Sequence, residues 1–188
     1  MDDEFHRSFM GRNLRDVRRM VEQKYGKEFD YDKFHQRYLE INRQMMIQGV
    51  PLMKGARELL DYLKKNNINR CIGTSTDRDL TDLLLHANKM ENDFDAVVCG
   101  DEVSHGKPDP EVYLKCFEKF SVDKSEALIF EDGQAGAKAA IASGMRLVLV
   151  PDLAYLGEDV RSKAFKVIDD LSQIIDVIKE ENERTTSV

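Results

Sequence analysis

From Pro51 onward the sequence alternates short apolar runs with longer stretches whose apolar residues recur at helical spacing. The short runs lie at residues 70–73, 96–99, 127–130, 146–150 and 165–168. Between and after them, residues 56–65, 79–87, 110–120, 134–143 and 171–181 carry the helical pattern. Short strands that are apolar throughout need cover on both faces, and strands separated by helices pair in parallel. This alternation constrains the chain more than any other feature. It predicts an α/β core over residues 51–181, with function gathered at the carboxyl ends of the strands.

Residues 4 to about 48 contain no comparable strand. Phe5, Phe9, Leu14, Val17, Met20 and Val21 recur at helical spacing, and so do Phe34, Tyr38, Leu39, Ile41, Met45 and Met46. Gly26 breaks the pattern, and Asp30 or Asp32 suits the cap of the second helix. Residues 1–50 therefore read as a small all-helical unit with little to bury itself against, joined to the core through Gln48-Gly49-Val50-Pro51. Residues 182–188 read as a polar tail.

Composition removes several function classes. A net charge of −7 is the wrong sign for a nucleic-acid binder, which needs a basic face for phosphates. No apolar run approaches the roughly 20 residues that span a bilayer. The three cysteines, Cys71, Cys99 and Cys116, have no metal-like spacing and read as reduced, buried thiols. The acidic start, MDDEF, does not resemble a signal peptide, so the expected location is the cytoplasm.

The polar clusters fall at the strand ends. Thr74-Ser75-Thr76 follows the first run; its hydroxyls could hold a phosphate through neutral donors, or Thr76 or Asp77 could cap the next helix. His105-Gly106-Lys107-Pro108-Asp109-Pro110 leads into another helix, with Asp109 suited to the cap and Pro110 to the first turn. Lys107 precedes a proline, which restricts its backbone and so the direction of its side chain. An ammonium so placed could neutralise a transferring phosphoryl group, or simply be solvated. Glu131 and Asp132 end the run 127–130. One acid there is explained by the positive end of the following helix, but two adjacent acids suit an oxygen-seeking cation such as Mg²⁺. Ala135, Gly136, Ala139 and Ala140 would let that helix approach the sheet closely.

With hydroxyl, lysine and acid pair on separate strand ends in that order, the chain resembles the haloacid dehalogenase-like superfamily. The branch is that of β-phosphoglucomutases and phosphatases of small sugars or nucleotides. The stretches GKPDPEVY and FEDGQAGAKAAIASGM carry the resemblance, which extends over essentially the whole chain. It implies a Rossmann-like parallel sheet with a small helical cap. It also implies that Thr74 is the phosphate-binding hydroxyl with Ser75 beside it, that Lys107 orders nucleophile and phosphate, and that Glu131 and Asp132 position Mg²⁺. Gly11-Arg12 resembles the cap segment that closes over substrate. The activity implied is Mg²⁺-dependent hydrolysis of small phosphorylated metabolites through an aspartyl phosphate. A sugar phosphomutase is the alternative, for which Arg12, Arg15, Arg18 and Arg19 offer cations to a second phosphate. A non-catalytic phosphometabolite-binding or interaction module is a reading of another class.

The nucleophile of that superfamily belongs to an Asp-x-Asp motif after a central strand that precedes the cap. Here the candidate is Asp30-Tyr31-Asp32, in mid-cap and after a polar stretch. The expectation is that motif and central strand are missing and that the polypeptide as given is inactive. The core would then have unpaired inner sheet edges prone to self-association.

Overall fold

The computed structural model describes Phe5, residues 14–26 and residues 28–186. The segment before Pro51 forms two helices among the described residues, α1 (Leu14–Tyr25) and α2 (Tyr31–Ile47). Gly26, at φ +81°, ends the first. Asp30 caps the second, its Oδ1 accepting from the Lys33 backbone N–H at 3.0 Å. Val17, Val21 and Tyr31 are buried together, with Phe5, Phe29 and Phe34 packed around them. The cap thus has a small aromatic core of its own, more than the sequence led us to expect.

The core then runs α3 (Ala56–Lys65), β1 (Cys71–Gly73), α4 (Arg78–Ala87), β2 (Ala96–Val98), α5 (Glu111–Phe117) and β3 (Leu128–Glu131). It continues through α6 (Gln134–Ser143), β4 (Arg146–Leu149), α7 (Glu158–Arg161), β5 (Lys166–Val167) and α8 (Ile174–Thr186). Helix α2 packs on α4. The link between cap and core is pinned by Asn88: Val50 N–H donates to its Oδ1 at 3.1 Å, and its Nδ2 donates to the Val50 carbonyl at 2.7 Å.

All ladders are parallel, as expected, but they form two sheets. One pairs β1 with β2, Ile72 opposite Val97; the other runs β3-β4-β5, with Ile129 opposite Leu147. Along β4 the side chains alternate. Leu147 and Leu149 pack with Val112, Cys116, Ala137 and Ala140 of α5 and α6, while Val148 packs with Leu59 of α3 and with Ile174 and Ile175 of α8. That alternation is the physical reason for a layer of helices on each face. No ladder joins β1 to β3 among the described residues. The site lies at this seam.

Candidate active site

Lys107 reaches the seam from the loop between β2 and α5. Asp109 starts that helix, its Oδ1 accepting from the Glu111 N–H at 3.0 Å, and Pro110 already has helical dihedrals. Glu111 staples the loop from the other side. Its carboxylate accepts from the backbone of Ser104 (2.9 Å) and His105 (2.8 Å) and pairs with Lys115 at 2.9 Å. Led by the Ser104 hydrogen bond, these donors lower the Glu111 pKa to about 2.

So fixed, the Lys107 side chain is buried, and its Nζ lies 2.5 Å from Glu131 Oε1. Burial of both partners makes this pair unlike an ordinary surface salt bridge. Tyr113 donates its hydroxyl to the same oxygen of Glu131, and Lys107 Nζ stands 4.8 Å from the centre of the Tyr113 ring. Burial first, and the charge of Glu131 next, push the Tyr113 hydroxyl well above its ordinary pKa, which keeps it a donor. The carboxylate of Glu131 is seated directly against Gly136 of α6, where any Cβ would overlap it. The small residues of α6 therefore have a specific task at this position: the helix makes room for a charged group at its N-terminal turn.

Asp132 follows at the mouth, open to solvent on one side. Burial of the rest, then the charge of Glu131, raise its pKa. A cation would relieve this crowding. Asp132, with the Glu131 Oε2 that neither Lys107 nor Tyr113 takes, offers the one or two carboxylates that Mg²⁺ commonly takes beside water and phosphate oxygens, so these residues fit that ion. Among the described residues the one convergent trio of potential metal ligands is elsewhere, at His105, Asp109 and Glu111. The donors just named already occupy Glu111, which marks that trio as a loop staple.

Thr74 sits at the end of β1. Its N–H extends the ladder to the Val98 carbonyl at 3.0 Å, and its Oγ1 accepts from the Thr76 N–H at 3.1 Å. The hydroxyl proton is left to donate to a ligand. Ser75 follows, its backbone carbonyl packed against Gly100 after β2. Asp77 stands at the N-cap of α4 without a side-chain cap hydrogen bond; Asp101 accepts from the Arg78 N–H instead, at 3.0 Å. Arg12 lies outside the described residues. Asp30 and Asp32 are cap residues, the first capping α2 and the second paired with Arg18 at 3.1 Å.

The structure thus joins Lys107 directly to Glu131, with Asp132 beside them, and sets Thr74 on the other half-sheet. Tyr113 spans the two, its ring against Gly73 of β1 and its hydroxyl on Glu131. The sequence analysis did not single out Tyr113. The available signal was chemical, since a buried tyrosine hydroxyl needs a partner. The family model of the haloacid dehalogenase-like hydrolases matches residues 1–150. The chain belongs to that family. Among its relatives, the probable pseudouridine-5′-phosphatase of Drosophila melanogaster is 30% identical over 175 residues, 90% of this chain and 75% of that protein. The phosphorylated carbohydrates phosphatase of Thermotoga maritima is 29% identical over 146 residues, 78% of this chain and 68% of that protein. The β-phosphoglucomutase structure from Clostridium difficile shares the fold, with TM-score 0.78 at 20% identity, covering 100% of this chain and 85% of that one. The chain spans 59%, 75% and 68% of the length of the first three curated relatives.

Proposed function

We propose that this chain supplies the phosphate- and cation-holding part of a Mg²⁺-dependent phosphatase of small phosphorylated metabolites, sugar or nucleoside phosphates. The observation that carries it is the meeting of Lys107 and Glu131 at 2.5 Å beside Asp132, at the strand ends of a hydrolase-family fold. In this reading Glu131 and Asp132 hold Mg²⁺, which supplies positive charge against the phosphoryl oxygens. The Thr74 hydroxyl and the Ser75 segment donate to the phosphate, Lys107 neutralises it, and Arg12 closes over the substrate from the cap. Because the net charge is −7, the field that draws in an anion has to be local.

A complete phosphatase of this kind uses an aspartate that attacks phosphorus and a second that moves the proton. Asp30-Tyr31-Asp32 is engaged in the cap, Asp77-Arg78-Asp79 opens α4, and Asp93 and Asp95 pair with Arg57 and Arg70, so we expect this polypeptide to bind without turnover. Within the same proposal the protein is cytoplasmic and free of nucleic acid and membrane; no described helix is long and apolar enough to cross a bilayer. Self-association through the free edges of β1 and β3 also belongs to it. A monomer at every concentration in sedimentation velocity would count against that element.

A phosphomutase would need free cations in the cap for a second phosphate. Arg15 instead donates to the Val103 carbonyl at 2.7 Å, Arg18 pairs with Glu22 and Arg19 with Asp16. The phosphatase reading stands ahead of it because these three described arginines already have partners. The test is Mg²⁺-dependent phosphate release from an aryl phosphate by the purified chain. We expect no release above an Asp132→Ala control. Release that disappears in Asp132→Ala would mean that another group or chain provides the nucleophile.

A further inference from the structure

Cys71 and Cys116 meet where α5 packs on β1. Alternate residues of a strand share a face, so Cys71 and Gly73 point to the same side of β1. The missing side chain of Gly73 is what admits the sulfur of Cys116, since a Cβ built there would stand 3.2 Å from Cys116 Sγ. Both thiols reach one acceptor, the Ile72 carbonyl oxygen, from Cys71 Sγ at 3.6 Å and from Cys116 Sγ at 3.4 Å. Cys71 is only half-buried, whereas Cys116 is buried behind it, and all three cysteines are free.

We propose that Cys71 and Cys116 form a dithiol site that a peroxide closes to an intramolecular disulfide. The roles of the two thiols follow from their surroundings. The adjacent Cys116 thiol lowers the Cys71 pKa against the opposing effect of burial, and the charge of Lys119 adds to it. The adjacent Cys71, then burial, raises Cys116, which keeps its proton. The Cys71 thiolate attacks one peroxide oxygen, breaking the O–O bond and leaving a sulfenic acid and hydroxide. Cys116 sulfur then attacks the Cys71 sulfur, forming the S–S bond, and the departing hydroxide leaves with the Cys116 proton as water. Two thiols have lost two electrons and two protons, and hydrogen peroxide has been reduced to two waters. The bridge ties β1 to α5 one helical turn beyond Tyr113, so it fastens the half-sheet that has fewer partners of its own. It stands independently of the function proposed above.

The test uses the intact chain, treated with hydrogen peroxide, alkylated, and digested without reductant for mass mapping. We expect the three alkylatable cysteines to fall to one. The Cys71 and Cys116 peptides should be joined with the loss of two hydrogens, Cys99 should remain alkylated, and dithiothreitol should reverse the change. Cys99→Ser should leave the bridge intact, and Cys71→Ser should abolish it. Should Cys71→Ser fail to fold, the map of the unaltered protein decides alone. Three alkylated thiols after oxidation, a bridge to Cys99, or a crosslink between chains would overturn the proposal.

Discussion

Strands β4 and β1 belong to the same α/β core, yet they are held very differently. Strand β4 has a partner on each side, and Leu147, Val148 and Leu149 are buried between two layers of helices. Strand β1 is three residues long, has β2 as its single partner, and leaves Cys71, Ile72 and Gly73 only partly buried. The difference shows what supports the site. Glu131 and Asp132 extend from the well-packed half, while Thr74 extends from the other. Lys107 and Tyr113 are the groups that connect the two halves at the strand ends.

The strongest way to break this comparison is to remove the connection. Glu131→Ala leaves the Lys107 ammonium buried without its carboxylate, and we expect a loss of about 3–5 kcal/mol in urea unfolding. A loss under about 1 kcal/mol would show that the pair is solvated. Next, Leu149→Ala in β4 should cost about 2–5 kcal/mol. Ile72→Ala in β1, half-buried, should cost about 1 kcal/mol. Equal costs for these two would mean that the seam is filled and the contrast false.

A finer probe is Gly136→Ala. Its Cβ falls on the Glu131 carboxylate, and overpacking of this kind costs about 1–3 kcal/mol. A neutral or stabilising result, as helix propensity alone would give, would show that Glu131 is not seated there.

The smallest effect concerns the loop that carries Lys107. Glu111 has its pKa lowered to about 2, so its staple is at full strength above the ordinary glutamate value of 4.5. It weakens as pH falls towards 2, because a depressed folded pKa means stabilisation lost on protonation. Carboxyl-carbon NMR should show Glu111 still ionised well below the ordinary glutamate value of 4.5. Titration at the ordinary value would remove the staple from the account.

The regular half of the molecule was the legible half. Helices 56–65 and 134–143 are found at the residues their apolar spacing indicates, and β3 and β4 within a residue, because burial between two layers enforces a strict pattern. Lys107, Glu131 and Asp132 were also legible, since charged residues at the mouth of a buried sheet are costly unless a partner or a ligand meets them. Three things were not. The direct contact of Lys107 with Glu131 is a tertiary distance that no local pattern encodes. Tyr113 did not stand out because its ring is core and only its hydroxyl is not. The split between β1–β2 and β3–β4–β5 depends on which strands pair, and short parallel strands carry no pairing code of their own.

We propose that the Lys107–Glu131–Asp132 cluster holds a cation and a phosphate. Calorimetric titration of Mg²⁺ into the intact chain, in the presence of inorganic phosphate, tests it most directly. The account predicts saturable binding of one Mg²⁺ per chain that is lost in Asp132→Ala while that variant keeps its fold by circular dichroism. Equal binding by the two proteins, or none by either, would contradict it.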